Sequence, residues 1–284
     1  MQTHKAKKSL GQNFLKSGAA LREIVKAGDI KPADTILEIG PGKGALTERL
    51  LEQASKVIAV EKDRELISFL EDKFANEIKT GRFVLVCGDI LEIEPDQSFL
   101  NGLAEPKAKE NRGPEKNFGP AGYKIIANIP YNITGAILKK FLTEEKQPEL
   151  MVLLVQKEVA DRIIARDHKE SLLSLSVKVY GTPTYIMKVG ARYFSPAPKV
   201  DSAVIKISSI SRDFFIRNQI DEVKFWELLR AGFAHKRKIL SGNLKSWRAT
   251  VDWQKLLADS NVPKNARAED LIVDNWISVC KYLE

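Results

Sequence analysis

Thr35-Ile36-Leu37-Glu38-Ile39-Gly40-Pro41-Gly42-Lys43-Gly44 is the stretch whose reading decides the fold. Its first five residues have the length and aliphatic content of a buried strand. The glycines that follow at alternate positions let the backbone turn sharply, let a ligand approach it closely, and expose the N-terminal amides of a helix through Leu46 and Leu50-Leu51. Outward from this unit the alternation continues. Lys56 to Val60 reads as a second strand ending at Glu61, and Arg64 to Phe74 as a helix. Phe83 to Val86 reads as a third strand ending near Asp89, Tyr123 to Ala127 as a fourth and Met151 to Val155 as a fifth. Ahead of the stretch, a basic, loop-like start gives way to a helix over Ala19 to Ala27. Strands alternating with helices imply a parallel sheet covered on both faces, an α/β fold of Rossmann-like type.

Beyond the fifth strand come helical patterns at Val159-Ile163 and Leu172-Leu175-Val179, then two strands, Thr184 to Val189 and Ser202 to Ile207. The texture changes after Ser211. Val223 to Ala234, Arg237 to Leu244, Trp253 to Ala258 and Glu269 to Lys281 read as short helices with no convincing strand. The expected division is therefore a domain over residues 1–211 and a smaller all-helical domain over 212–284. Residues Glu94 to Gly122 are rich in Pro, Gly, Lys and Glu with little periodicity, and 103–122 reads as a flexible surface insertion.

Composition narrows the class. With 44% hydrophobic and 29% charged residues among 284, the chain is an ordinary globular protein with ample length for a core. The longest aliphatic run, Leu150-Met151-Val152-Leu153-Leu154-Val155, is far too short to span a bilayer. No apolar signal core follows the basic Met1 to Lys8, so a cytoplasmic protein with no membrane partner is expected. Cys87 and Cys280 have no partner at ligand or redox spacing and read as two buried thiols. His4, His168 and His235 are scattered, so neither a metal site nor a Ser-His-Asp arrangement is expected. The formal net charge of +8 favours polyanionic partners. From Leu228 to Val251 there are six cations, Arg230, Lys236, Arg237, Lys238, Lys245 and Arg248, and no carboxylate, which points to nucleic-acid contact.

The chemistry-bearing residues fall at strand ends. The G-x-G-x-G spacing at Gly40, Gly42 and Gly44 departs from the G-x-G-x-x-G dinucleotide fingerprint, as expected where the ligand lacks a pyrophosphate. Glu61, ending the second strand, suits the ribose hydroxyls of a nucleoside. Asp89, ending the third, suits an adenine amino group, with a helix N-cap as the competing role. Asn128-Ile129-Pro130-Tyr131 ends the fourth. The Asn128 side-chain oxygen and a free Pro130 carbonyl could each accept one N–H of an exocyclic amine, while Tyr131 stacks on the base. The two bonds draw the nitrogen toward tetrahedral geometry and aim its lone pair at an electrophile. An adenosyl cofactor with a transferable methyl group fits that demand.

At this point the chain resembles the KsgA-type ribosomal RNA adenine N6,N6-dimethyltransferases over nearly its whole length. The blocks that carry the resemblance are Leu10-Gly11-Gln12-Asn13-Phe14-Leu15, Glu38-Ile39-Gly40-Pro41-Gly42, Asn128-Ile129-Pro130-Tyr131-Asn132-Ile133, Gln156-Lys157-Glu158-Val159, and Phe194-Ser195-Pro196-Ala197-Pro198-Lys199-Val200-Asp201-Ser202-Ala203-Val204. It implies a class I methyltransferase domain using S-adenosylmethionine. It further implies that two adjacent adenosines near the 3′ end of small-subunit 16S rRNA, in a 30S-type particle, are each methylated twice by a monomer. By the resemblance, Asn13, Leu15, Gly40, Gly42, Glu61, Asp89 and Asn128 contact the cofactor. Asn128, Pro130 and Tyr131 form the reaction centre, with Phe194 facing Tyr131 across a flipped adenine. The family's basic cluster matches His235-Lys236-Arg237-Lys238, with His where Arg is often seen, and the long insertion also departs from the pattern. The competing readings are a resistance enzyme methylating an adenosine of 23S rRNA, a non-catalytic assembly factor on the same fold, and a nicotinamide oxidoreductase. The fuller Pro-Ala-Pro-Lys-Val-Asp-Ser-Ala-Val form, the intact tetrad and the glycine spacing weigh against these in turn.

Overall fold

The computed structural model describes residues 6–7, 10–93 and 122–283. The insertion expected over 103–122 lies outside them except for Gly122. Among the described residues a seven-stranded sheet is ordered β4-β3-β2-β5-β6-β9-β7. Its members are β2 (Thr35–Ile39), β3 (Lys56–Glu61), β4 (Phe83–Cys87), β5 (Tyr123–Asn128), β6 (Leu150–Gln156), β7 (Thr182–Val189) and β9 (Ser202–Ser208). A separate two-residue strand, β1 (Phe14–Leu15), pairs antiparallel with β8 (Phe194–Ser195). Helices α1 (Gly18–Ala27), α2 (Ala45–Leu51), α3 (Arg64–Lys73), α4 (Ala75–Lys79), α5 (Thr134–Thr143) and α6 (Lys157–Ile164) punctuate the strands.

The strands β4, β3, β2, β5 and β6 run parallel, as the alternation predicts. The sheet is not parallel throughout: β9 runs antiparallel to β6, pairing Leu153 with Ile205. No crossover helix separates β7 from β9, so the constraint that makes βαβ units parallel is lifted there. Central strands are apolar on both faces because both faces are covered. Residues 150–155 of β6 are all buried, as are Ile36, Leu37 and Ile39 of β2. Each fully buried aliphatic side chain contributes about 1.5–3 kcal/mol. Helix α1 starts where the Ser17 hydroxyl accepts the Ala20 N–H, and α3 where Asp63 accepts that of Glu65.

The chain divides into two compact units. One holds the described residues up to Ala160 together with Thr184–Ile210, and the other Asp161–Pro183 together with Ser211 onward. The second unit is built from α7 (Leu172–Lys178), α8 (Asp213–Asn218), α9 (Glu222–Gly232), α10 (Leu240–Trp247), α11 (Trp253–Asp259) and α12 (Val273–Lys281). Its core holds Phe225 and Trp276, both fully buried, and edge-to-face contacts join Tyr180, Phe215 and Phe225. The α10 helix begins three residues later than its pattern predicts, because the Leu240 N–H is taken by the Ala266 carbonyl. The preceding residues 235–238 form a turn instead, closed by the Lys238 N–H on the His235 carbonyl. The α8 helix was not legible in the sequence.

Two local expectations are corrected. The N-terminal start is not wholly loop, since β1 finds a partner distant in sequence. Cys280 is buried as expected, but Cys87 is exposed, because it is the last residue of the edge strand β4. No helix among the described residues is long and apolar enough to cross a membrane.

Gly44 joins the glycine turn to α2 with φ +75°, and a Cβ there would lie 2.5 Å from a Phe74 ring carbon. Gly44→Ala adds backbone strain to overpacking and should destabilise the first unit by about 2 kcal/mol. Scanning calorimetry should show its transition lowered by roughly 4–8 °C. An unchanged transition would contradict this packing.

Candidate active site

Progressing outward from β2, the chain lays β3 and β4 on one side and β5 and β6 on the other, so the order reverses between β2 and β5. In open α/β sheets ligands bind at the carboxyl ends of strands at that reversal. A cavity of about 400 Å³ lies there, lined by residues 10–16, 40–43 and 128–133 together with Glu38, Glu61, Asp89 and Ser195. Nine residues singled out from sequence therefore meet around one space: Asn13, Leu15, Gly40, Gly42, Glu61, Asp89, Asn128, Pro130 and Tyr131.

Asn128 ends β5. Its Nδ2 donates to the Asn13 carbonyl at 3.1 Å. That bond fixes which end of the amide is which and leaves Oδ1 as an acceptor, with no donor to it among the described residues. The Pro130 carbonyl, expected to be free, accepts the Ile133 N–H at 3.3 Å in a tight turn. The Ile129 carbonyl, one residue earlier on the cavity wall, has no such turn partner among the described residues. Tyr131 is held by a 2.6 Å hydrogen bond between its hydroxyl and Ser202 Oγ. Burial raises its pKa, and the phenol stays protonated at neutral pH.

Phe194 is not brought to the cavity. It is 2% exposed and packs in the apolar core with Leu15 and Val204. Alternation along β8 explains this: Phe194 turns inward opposite Leu15, and Ser195 is left on the cavity side.

The carboxylates are already engaged by protein groups. Glu61 is buried; its Oε2 accepts the Gly42 N–H at 3.2 Å and its Oε1 the Asp63 N–H at 2.9 Å. Burial raises its pKa against the lowering effect of those amides. Asp89 Oδ1 accepts the Leu91 N–H at 3.0 Å and Oδ2 meets Lys62 Nζ at 2.7 Å. Burial pushes its pKa up, but Lys62 and the amide outweigh it and the group titrates below its ordinary value. No helix begins at Asp89 among the described residues, so it is not a helix N-cap; it caps a turn instead and lines the cavity.

Sequence reasoning assigned no role to Glu38, Gln12 or Asp63. Glu38 is 1% exposed, accepts the Thr47 hydroxyl at 2.7 Å and lines the cavity. Desolvation pushes its pKa up to about 8, with the nearby Glu61 charge adding to the rise. A carboxyl inside the apolar run Ile36-Leu37-Glu38-Ile39 was the signal available. Asp63 and Gln12 bond to each other at 2.7 Å, a long-range pairing that no local pattern announces.

In the second unit, Arg230, Lys236, Arg237, Lys238, Lys245 and Arg248 are all exposed. None forms an ion pair with another described residue. The Arg248 guanidinium lies 4.4 Å from the centre of the Trp247 ring.

An open α/β sheet with a glycine turn, acidic strand ends and an Asn-Ile-Pro-Tyr loop around one cavity defines a Rossmann-like class I methyltransferase. Comparison with known proteins narrows the class. The family model described as ribosomal RNA adenine dimethylase matches residues 3–284, and the chain belongs to that family. It is 40% identical over 98% of its length to ribosomal RNA small subunit methyltransferase A of Dehalococcoides mccartyi strain CBDB1, covering 88% of that protein. The corresponding protein of Synechococcus elongatus is 38% identical, with 97% of this chain and 94% of the relative covered. Among solved structures, a dimethyladenosine transferase from Plasmodium falciparum has a TM-score of 0.73 at 24% identity, covering 95% of this chain and 97% of that one. The 23S rRNA methyltransferase ErmE has a TM-score of 0.71 at 21% identity, covering 95% and 99%. Those two likenesses speak for the fold.

The protein is thus an S-adenosylmethionine-dependent rRNA adenine dimethyltransferase. The residues present fit the cofactor. Gly40 has φ +67°, and a Cβ there would meet only Pro130 Cδ at 3.9 Å, so a side chain would project into the cavity. The buried Glu61 carboxyl on the cavity wall also suits the hydroxyls of a nucleoside.

The Glu38 pKa carries a consequence for stability. Its folded value of about 8 exceeds the unfolded value near 4.5, so the native state holds the proton more tightly. Stability therefore falls as pH rises from about 4.5 to 8, by on the order of 4 kcal/mol in all from this one group. Glu38→Gln, which keeps an acceptor for Thr47, should leave stability at pH 5 nearly unchanged and raise it at pH 9. Urea midpoints across that range check it, and parallel curves for the two proteins would refute the assignment.

Proposed function

We propose that this enzyme transfers methyl groups to N6 of two adjacent adenosines near the 3′ end of 16S rRNA, twice each, during maturation of the small ribosomal subunit. The observation that carries the reading is Asn128, whose amide nitrogen is bound to the Asn13 carbonyl so that its oxygen is the group offered to the cavity. The names of the relatives, which specify the small subunit, support the choice of RNA.

In this reading Asn13, Leu15, Gly40, Gly42, Glu61 and Asp89 hold the cofactor, with Glu61 facing the ribose. Bound there, S-adenosylmethionine supplies a methyl group already activated by the positive charge on its sulfur. In the first transfer Asn128 Oδ1 accepts one N–H of the target amine and a backbone carbonyl accepts the other; in the second, one N–H remains for one of the two acceptors. The Ile129 carbonyl suits this role better than that of Pro130, which Ile133 engages. Together the two acceptors hold the nitrogen pyramidal with its lone pair turned outward. Tyr131 stacks on the base, its ring fixed through Ser202. Orientation does most of the work, and the proton released after attack passes to solvent without a strong general base. The adenine must leave its stack, which costs a few kcal/mol. Phosphate contacts from Arg230, Lys236, Arg237, Lys238, Lys245 and Arg248 in the region 212–284 offset that cost. The enzyme works as a cytoplasmic monomer on a 30S-type particle.

The direct test is mass spectrometry of small-subunit RNA incubated with enzyme and donor. Paired N6,N6-dimethyladenosines near its 3′ end are expected; modification confined to large-subunit RNA would refute the assignment. Asn128→Ala should lower turnover by roughly 10²–10³-fold while RNA affinity stays within error. Wild-type methyl incorporation by that variant would remove Asn128 from the reaction. Neutralising Lys236, Arg237 and Lys238 together should weaken RNA binding and reduce the slope of log K against log salt by roughly 2–3. An unaltered slope would place the phosphate contacts elsewhere.

A further inference from the structure

One wall of the cavity is residues 10–16, which have little secondary structure of their own. The wall is held by contacts to residues far along the chain. Gln12 Nε2 donates to Asp63 Oδ2 at 2.7 Å, and Lys7 Nζ donates to Asp63 Oδ1 at 2.6 Å. The Gln12 Oε1 accepts the Lys7 backbone N–H at 2.7 Å, closing a ring of three residues. Next along the chain, the Asn13 carbonyl accepts from Asn128 Nδ2. Phe14 then packs against Gly42 and pairs with Ser195, and the Lys16 N–H bonds the Tyr193 carbonyl at 2.8 Å.

Asp63 is the point on which this arrangement converges. Its side chain is 0% exposed, it caps α3, and its own N–H donates to Glu61 Oε1. It does not itself line the cavity. A buried carboxylate is stabilised by such donors, and one of them, Gln12, belongs to the wall while Lys7 lies just ahead of it.

We infer that Asp63 is a positioning residue that latches the segment 10–16 over the donor cavity through Gln12, and in doing so sets the orientation of the Asn128 amide. Gln12 and Asn13 are consecutive. Seating Gln12 on Asp63 therefore places the Asn13 carbonyl where Asn128 Nδ2 reaches it, and Asn128 Oδ1 is turned to the target amine. One latch serves both donor retention and acceptor alignment. The inference rests on the cavity's being the donor site.

The test uses Gln12 variants of the full chain, which leave the α3 cap intact. Gln12→Leu removes the donor to Asp63, and Gln12→Lys replaces it with another. Titration calorimetry with S-adenosylhomocysteine should give about tenfold weaker binding for Gln12→Leu. Hydrogen exchange over residues 10–16 should quicken in the ligand-free protein, and kcat at saturating donor should fall. Gln12→Lys should restore affinity, protection and kcat together. Wild-type affinity and protection in Gln12→Leu would overturn the latch, as would Gln12→Lys behaving like Gln12→Leu. Wild-type protein that failed to bind S-adenosylhomocysteine would overturn the donor-site reading and the latch with it.

Discussion

The parallel pairing of β2 with β5 is the constraint on which the rest depends. Thr35 pairs with Tyr123 and Leu37 with Ile125. Carried on in register, Gly40 comes opposite Asn128. Both strands are buried on both faces, so a slip of one residue would invert every side chain in the centre of the sheet. The pairing therefore holds the glycine turn and the Asn-Ile-Pro-Tyr loop side by side. It also makes the order of strands reverse at this place, opening the crevice in which a ligand can sit.

What fills the crevice is set by its electrostatics. Glu38, Glu61 and Asp63 are buried within a short stretch of structure; burial raises the pKa of Glu38 and of Glu61, and the Glu61 and Asp63 charges add to the rise at Glu38 and Glu61 respectively. The protein manages the burden with specific donors: the Thr47 hydroxyl, the Gly42 and Asp63 amides, and the Gln12 and Lys7 side chains. Most buried polar groups are satisfied in this way. The acceptor oxygens held in this way near the glycine turn favour a ligand that carries N–H and O–H donors.

That second unit is organised around aromatic packing. Gly232 lies against Trp276 so closely that a Cβ would come within 2.4 Å of its ring. Asn243, beneath it, donates to both the Gly232 carbonyl at 2.6 Å and the His235 carbonyl at 3.1 Å. The basic turn at 235–238 is thus fixed from below by one buried amide, while its charged side chains remain exposed. On the proposed reading, this gives the phosphate-binding cations a fixed backbone without ion pairs to weaken them.

The sequence by itself determined the alternation of strands and helices, because apolar periodicity and glycine placement are local properties that survive tertiary context. It also placed Gly40, Glu61, Asp89 and Asn128 on one rim, since strand ends in a doubly wound sheet share an edge. Only the tertiary structure decided which groups were free to act. Pro130 lost its free carbonyl to a turn, and Asp89 spends both oxygens on neighbours. Phe194 went into the core opposite Leu15, and Cys87 came out at a sheet edge. The antiparallel β9 and the β1–β8 pairing likewise join residues distant in sequence. Pairings across such distances, like that of Gln12 with Asp63, depend on the whole chain's path, and no window of neighbouring residues encodes them.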